Sequence, residues 1–168
     1  MKVFGSLKIY KNKPTIIAEA GVNHGCNLAL ALKYIKLAKE AGVDAIKFQT
    51  YKAEKIVSKT SPAYWDTNKE KTKSQYKLFK KFDKFNYQDY FRLYVECKRQ
   101  KILYMSTLFD LDSVKLYDKF LKIYKISSSD INNIPLLREI GKKKIYNNIN
   151  WGLFYFRDKK CNKNFIFA

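Results

Sequence analysis

Polar and charged side chains stand at the ends of four apolar, strand-like segments of this sequence, each just before a loop. They are Glu19, Lys47, Gln49, Thr107, Lys125 and Ser128. In α/β proteins the carboxyl ends of parallel strands face the ligand, so we expect these side chains to lie together. Lys47 and Lys125 hold equivalent positions on two of the strands, and the two hydroxyl groups add hydrogen-bond donors. This combination predicts a cationic pocket for a phosphate or a carboxylate.

Strand-like and helix-like segments alternate along the chain and would position these side chains. Apolar β-type runs predict four strands, at residues 15–20, 43–50, 102–107 and 123–127. Apolar residues at helical spacing predict helices at 28–38, 87–100 and 111–121, and a fourth that Asn133 would cap. From the second helix we expect four side chains to face inward, namely Tyr90, Phe91, Tyr94 and Val95. This alternation predicts a parallel sheet with helical crossovers.

Length and composition limit the classes of protein to which the chain can belong. Its 168 residues suggest one domain, and 46% hydrophobic residues supply ample material for a core. Cys26, Cys97 and Cys161 form no C-x-x-C pair, which favours a reducing, cytoplasmic compartment over a disulfide framework or a zinc knuckle. We find no apolar run of the roughly 20 residues that a membrane span requires and no signal peptide, so we expect no membrane partner.

The net charge of +19, from 34 basic and 15 acidic residues, would suit a nucleic-acid partner. Nearly all of the positive charge is lysine, however, and the lysines are spread along the whole chain. Recognition of base edges favours arginine, of which the chain has only Arg92, Arg99, Arg138 and Arg157. We therefore interpret the lysines as solvated. A basic nucleic-acid-binding protein remains the alternative, and it predicts tight, steeply salt-dependent binding to DNA or RNA.

Four longer motifs carry a resemblance to a known family. They are IIAEAGVNHG at 16–25, DAIKFQTYKAE at 44–54, STLFD at 106–110 and YKISSSDINNIPLL at 124–137. Through these motifs, residues 15 to about 143 resemble the sialic acid synthase family, which comprises the N-acetylneuraminate synthases and their legionaminate- and pseudaminate-type relatives. The resemblance implies an α/β fold of the parallel (β/α)₈ TIM-barrel type, truncated here to about the first four β/α units.

The resemblance also implies a reaction. Family members condense phosphoenolpyruvate with an N-acetylated amino sugar, such as N-acetylmannosamine, and release phosphate. A divalent metal, manganese or magnesium, polarises the sugar aldehyde as a Lewis acid. Its histidine ligands are expected in the part of the barrel that this chain lacks, so no metal ligand is assigned here. The family also implies a homodimer.

Site residues are carried over motif by motif. Lys47, Thr107, Lys125 and Ser128 resemble ligands of phosphoenolpyruvate, and Gln49 resembles a contact on the sugar or metal side. Glu19 and Asp130 are the candidate catalytic residues. Asp130 stands where many relatives have glutamate and could handle the attacking water. Glu19 has an alternative interpretation as the ion-pair partner of a nearby lysine at the barrel mouth.

Four further residues, one histidine and three aromatic residues, could lie near the site. His24 is expected to form hydrogen bonds within its loop rather than to bind a metal. The Tyr64-Trp65 pair and Tyr76, in the long segment after the second strand, either cover the sugar or simply pack within that segment.

The resemblance ends in the lysine run at 142–144. We assign residues 1–144 to the N-terminal half of the barrel and residues 145–168 to an unrelated tail. Because an adenine tract can encode such a run, we hypothesise that the tail is translated out of frame. The chain as written would then be inactive. The alternative is a non-catalytic half-barrel remnant that binds phosphoenolpyruvate or assembles as an oligomer.

Overall fold

The computed structural model describes residues 14–143 in full, together with the backbone of four strands near the two ends of the chain. The first two of these strands, β1 (Lys2–Phe4) and β2 (Leu7–Ile9), pair with each other in antiparallel fashion. The body of the fold begins after them, at residue 14.

A parallel sheet of three strands, in the order β3–β4–β5, forms the centre of the fold. These strands are β3 (Ile17–Gly21), β4 (Ala45–Thr50) and β5 (Leu103–Leu108). Helix α1 (Leu28–Glu40) connects β3 to β4. Three helices lie between β4 and β5, namely α2 (Ala53–Ile56), α3 (Gln75–Lys81) and α4 (Tyr87–Arg99). The predicted parallel α/β class is confirmed, whereas α2 and α3 were not predicted.

Capping residues explain where the helices begin and end. The Asn27 side chain accepts a hydrogen bond from the backbone N–H of Leu30 at the start of α1. Gly42 follows that helix with φ +72°, a left-handed conformation that glycine adopts without strain. Asn86 caps α4 and forms a reciprocal capping box with Asp89.

The last unit of the described body has helices but no full strand. Helix α5 (Leu111–Tyr117) runs into a 3-10 helix (Asp118–Phe120), and α6 (Ile134–Gly141) begins after Asn133, which caps it as predicted. The prediction of a strand at 123–127 is wrong. Within residues 14–143 this segment makes one parallel bridge to the sheet, between Thr107 and Lys125. The Ser127 side chain instead accepts a hydrogen bond from the Ser129 N–H, which starts a 3-10 helix and competes with strand pairing.

The two faces of the sheet bury different side chains. Ile46 and Phe48 point toward α1 and α4 and lie in the main core. The opposite face, here called the inner face, has a small apolar cluster of Ala45, Met105 and Ile123, against which Ile17 and Leu103 pack. Side chains alternate between faces along a strand, so Lys47 and Gln49 share the inner face with Ala45.

Helix α4 buries a different stripe from the predicted one. Tyr90 is buried as predicted, together with Leu93 and Cys97. The prediction that Phe91 and Val95 face inward is wrong, because these side chains are 40% and 45% exposed. The buried positions are spaced three and four residues apart, which is the period of a single helical stripe.

The chain ends in a hairpin of β6 (Phe154–Asp158) and β7 (Lys163–Phe167), which pair in antiparallel fashion. The assignment of 145–168 to an out-of-frame tail otherwise falls outside the described residues and stays a prediction.

Candidate active site

The strand registers bring five of the predicted site residues to one edge of the inner face. Glu19 pairs with Lys47 between β3 and β4, and Gln49 pairs with Thr107 between β4 and β5. The bridge between Thr107 and Lys125 adds the fifth residue. These residues follow the apolar cluster of Ala45, Met105 and Ile123 along their strands. They therefore form a polar layer at the carboxyl ends of the strands, above an apolar floor.

Lys47 is paired with a carboxylate of the neighbouring strand. Its ammonium group forms a close ion pair with Glu19 Oε2, and the Lys47 side chain is only 14% exposed. The alternative interpretation of Glu19, as an ion-pair partner, is therefore confirmed. Gly21 leaves room for this pair, since a Cβ atom there would lie 3.3 Å from Glu19 Oε1.

Lys125 has a different environment. Its ammonium group donates a hydrogen bond to the Ile126 carbonyl oxygen at 2.7 Å. Burial lowers the pKa of Lys125, and the positive charge of Lys47 lowers it further, while Glu19 and Asp130 partly offset both effects. The two ammonium groups thus lie close enough to repel each other. A bound anion between them would relieve this repulsion.

Asp130 lies in the 3-10 helix Ser128–Asp130, where its carboxyl group interacts electrostatically with Lys125. Burial raises the pKa of its carboxyl group, an effect opposed by Asn133 and by the charge of Lys125. Asn133 Nδ2 donates a hydrogen bond to Asp130 Oδ1 at 3.2 Å. Asp130 Oδ2 is buried and has no hydrogen-bond partner among residues 14–143. A carboxylate in this state takes up a proton more readily than an exposed aspartate does.

Hydrogen bonds made by side chains hold the ends of β4 and β5. The hydroxyl groups of Thr50 and Ser106 lie 2.8 Å apart on the helix-covered face. Tyr90, from α4, donates a hydrogen bond to the Gln49 carbonyl oxygen at 3.2 Å. Thr107, at the end of β5, is only 3% exposed.

A cavity of about 620 Å³ opens beside the polar layer. Gln49, Ser127, Ser129 and Asp130 line the side near the strand ends. The other side is formed mainly by apolar and aromatic side chains, which are Tyr51, Ile56, Tyr64, Leu78, Phe79, Phe82 and Phe109. We call this side the aromatic wall. Ser128 is exposed and does not line the cavity, whereas both of its neighbours do.

Apart from Tyr64, the residues of the aromatic wall were missed in the sequence. Leu78, Phe79 and Phe82 are spaced one and three residues apart in a lysine-rich segment, which is a helical pattern too short to stand out. The Tyr64-Trp65 pair was expected either to cover the sugar or to pack within its own segment, and each expectation fits one of the two residues. Tyr64 lines the cavity, while Trp65 Nε1 donates hydrogen bonds to the Glu70 and Thr72 carbonyl oxygens within its own segment.

His24 is buried in the first β–α loop, as its interpretation as a loop residue requires. Its Nδ1 atom accepts a hydrogen bond from the Cys26 N–H at 3.1 Å, and its ring stacks on Phe85 with centroids 4.7 Å apart. Burial lowers the pKa of His24, which favours the neutral imidazole. Residues 14–143 contain no group of three or more histidine, cysteine, aspartate or glutamate side chains that could hold a metal ion. In the same part of the chain, no helix is long and apolar enough to span a membrane.

Comparisons with known proteins identify the family of the chain. A family model described as the NeuB family matches residues 34–155. The N,N'-diacetyllegionaminic acid synthase of Campylobacter jejuni is 40% identical over 139 residues, which cover 79% of this chain and 41% of that protein. The enzyme of the same name from Legionella pneumophila is 39% identical over 133 residues, covering 77% of this chain and 37% of that protein.

A solved structure shows the same fold. The N-acetylneuraminic acid synthetase of Leptospira borgpetersenii, crystallised with citrate, superimposes with a TM-score of 0.62 at 29% identity. The match covers 82% of this chain and 47% of that one, and it confirms the predicted barrel-type fold class. The chain spans about two fifths of the length of the curated relatives that it matches.

Proposed function

The chain belongs to the NeuB family, and from this premise we propose that it supplies the phosphoenolpyruvate-binding part of a sialic-acid-type synthase. Such an enzyme joins phosphoenolpyruvate to an N-acetylated amino sugar, forms a nonulosonic acid and releases phosphate. The observation that carries the proposal is the pair of lysines, Lys47 and Lys125, beside the buried Thr107 hydroxyl group at the strand ends. Two cations and a hydroxyl donor suit a ligand that bears both a phosphate and a carboxylate.

The proposed chemistry places three bond changes near this pair. The C3 carbon of phosphoenolpyruvate attacks the aldehyde carbon of the open-chain sugar, and a new C–C bond forms. Water adds to C2, and the bond from C2 to the phosphate oxygen then breaks, so that inorganic phosphate leaves. Lys47 and Lys125 hold the phosphate and carboxylate and stabilise the charge that collects on the leaving oxygen. Thr107 donates a hydrogen bond, and Ser128 is a further candidate donor at the rim.

Asp130 is proposed to receive the proton of the attacking water. Its raised pKa and its buried oxygen without a hydrogen-bond partner both favour proton uptake. The aspartate side chain is one methylene shorter than glutamate, and one intervening water would make up the difference. Gln49 also lines the cavity and is proposed to hydrogen-bond the sugar, while Glu19, on the neighbouring strand β3, is proposed as the second catalytic carboxylate.

Three finer points rest on the family resemblance alone. A divalent metal, manganese or magnesium, would polarise the sugar aldehyde. Residues 14–143 contain no cluster of side chains that could bind it. A cytoplasmic location and a homodimer are proposed on the same ground.

Calorimetric titration of the full chain with phosphoenolpyruvate tests the proposal. We expect Lys47→Met and Lys125→Met each to weaken binding by about 10- to 100-fold, which corresponds to the loss of one charge-assisted contact. Lys122→Met is the matched control, because this lysine is exposed next to the same segment and should leave the affinity unchanged. Absence of binding to the folded wild-type chain, or equal binding by all four proteins, would overturn the proposal.

A further inference from the structure

A second cavity, of about 480 Å³, lies at the amino ends of β4 and β5, the opposite edge of the sheet from the polar layer. It is lined there by Asp44, directly before β4, and by Leu103, the first residue of β5. The two cavities have no lining residue in common. The second cavity is therefore separate from the candidate active site.

Three aromatic rings line the inner part of this second cavity. The Tyr94 ring, from α4, stacks on Phe120 with centroids 5.1 Å apart and meets Tyr104 edge-on at 6.1 Å. Tyr104 and Phe120 are buried, whereas Tyr94 is half-buried. The Lys98 ammonium group lies 5.6 Å from the centroid of the Tyr94 ring, within the range of a cation–π contact. Aromatic side chains of this kind stack favourably on planar bases.

The same cavity is lined by uncompensated positive charge. Lys98, Lys101 and Lys122 are exposed, and none of them forms an ion pair with a carboxylate within residues 14–143. Asp44, the one acidic lining residue in the described part of the chain, already accepts a hydrogen bond from the Ile16 N–H at 2.9 Å. The lining thus has an excess of two positive charges, which suits a multivalent phosphate better than a single carboxylate.

The turn that ends α4 places one of these lysines at a strained position. The Ile102 N–H bonds to the Cys97 carbonyl oxygen at 3.0 Å, and the Lys101 N–H bonds to that of Lys98 at 3.1 Å. This is the Schellman pattern, in which the residue after the cap is left-handed and usually glycine. Lys101 holds that position with φ +54°, and its side chain lines the cavity. A charged side chain at a strained backbone position points to a use for that side chain.

We propose that this second cavity binds a nucleoside phosphate, with the base against the Tyr94 ring and the phosphate groups beside the three lysines. Its volume lies within the range of small-molecule sites, about 300–1,000 Å³. An uncharged aromatic ligand would leave the lysines without a counter-charge, and inorganic phosphate would leave the rings without a partner. A nucleotide satisfies both. Single-stranded nucleic acid offers the same chemistry, but the volume of the cavity suits one nucleotide.

Calorimetric titration of the full chain with adenosine 5′-diphosphate (ADP) tests this inference, and adenosine and inorganic pyrophosphate probe its two halves. We expect ADP to bind at least about 10-fold more tightly than either half. Lys101→Gly should weaken ADP binding by about 10-fold. Because glycine suits the left-handed turn, this variant should unfold at no lower a urea concentration than the wild-type chain, so the loss cannot come from misfolding.

Lys98→Met should also weaken ADP binding, by about 5- to 10-fold. Its matched control is Lys33→Met, at an exposed position of α1 that does not line the cavity. Lys122 lines this cavity and not the one beside the polar layer. Lys122→Met should therefore weaken the binding of ADP, while it remains the control for phosphoenolpyruvate.

Three results would overturn the inference directly. They are no binding of ADP, equal affinity for ADP and pyrophosphate, and an equal loss in Lys33→Met and Lys98→Met. Loss of ADP binding in Lys47→Met, with Lys101→Gly unaffected, would overturn it by placing the nucleotide in the candidate active site. Displacement of ADP by a single-stranded oligodeoxyadenylate of at least about 10-fold higher affinity would instead assign the surface to nucleic acid.

Discussion

Lys47 and Lys125 occupy equivalent positions in the polar layer, but the regions that hold them are built differently. Lys47 lies in β4, the central strand, which pairs with β3 on one side and with β5 along its whole length on the other. Lys125 lies in a segment that makes one bridge to the sheet within residues 14–143. The position of Lys47 is therefore fixed by the sheet, and that of Lys125 mainly by the side chains around it.

The same two residues also differ in how their charge is balanced. Lys47 has a carboxylate partner in Glu19, whereas Lys125 donates to the carbonyl oxygen of its own neighbour and has a lowered pKa. An anion that binds between the two lysines gains less binding free energy from Lys47, because the ion pair between Lys47 and Glu19 has to break first. It gains more from Lys125, whose charge is poorly compensated. The lysine that the sheet positions more firmly, Lys47, is therefore not the one whose charge is less compensated.

The largest expected effect concerns the support of the central strand. Phe48 is fully buried among the rings of His24 and Tyr104, so Phe48→Ala should lower the free energy of unfolding by about 3–5 kcal/mol. Ile126→Ala, in the half-buried segment next to Lys125, should cost about 1–2 kcal/mol. Urea denaturation followed by circular dichroism measures both. Equal losses would contradict the contrast between the two regions.

The fold was predictable where the pattern repeats and less so where local bonds compete. Strands β3, β4 and β5 and helices α1, α4, α5 and α6 follow from apolar periodicity and from capping residues such as Asn133. The segment at 123–127 shows the same apolar alternation, but the bond of Ser127 to Ser129 draws the chain into a 3-10 helix. Phe91 and Val95 were misplaced because aromatic and β-branched residues on α4 outnumber the positions that one helical stripe can bury.

The candidate site was predictable to the extent that strand ends determine it. Gln49 and Thr107 each lie one residue before the end of a strand, Lys47 lies two residues before Gln49 on the same face, and the strand register brings the three together. Except for Phe109, the aromatic wall comes from residues 51–82, between β4 and α4, where each apolar run is only a few residues long. The environment of Asp130 depends on its distance from Lys125 and Asn133, which no spacing in the sequence gives.

The second prediction uses pH to separate the two lysines. Because the pKa of Lys125 is lowered from 10.5, its ammonium group loses its proton at a lower pH than an ordinary lysine. Phosphoenolpyruvate binding should therefore weaken, by about 10-fold, as the pH rises toward 10.5. The Lys125→Arg variant should not show this loss of affinity at high pH, because its guanidinium group stays protonated. The Lys47→Arg variant should show the same loss as the wild-type chain. Calorimetry over a pH series measures this. A loss that disappears in Lys47→Arg instead would reverse the assignment.

A smaller effect is expected from removing the counter-charge of Lys47. Glu19→Gln frees the Lys47 ammonium group for the ligand, so phosphoenolpyruvate should bind about threefold more tightly, a change typical of one half-exposed ion pair. Glu40→Gln, at the exposed end of α1, controls for the change in net charge. Weaker binding by the Glu19 variant alone would mean that Glu19 holds Lys47 in position rather than competing for it.

The smallest effect concerns the carboxyl group beside Lys125. Since burial raises the folded-state pKa of Asp130 above 3.8, ionisation of this group costs stability, and the cost develops as the pH rises through the raised pKa. Asp130→Asn removes the cost and keeps the acceptor for Asn133, so it should raise the free energy of unfolding by about 0.5 kcal/mol at neutral pH. Below pH 3.8, where the acid is protonated in both states, the difference should vanish. Asp66→Asn, at an exposed position, should show neither effect. A gain in stability that persists at low pH would show that the effect of the substitution comes from packing and not from the charge of Asp130. The Asp130 carboxylate would then no longer distinguish the surroundings of Lys125 from those of Lys47.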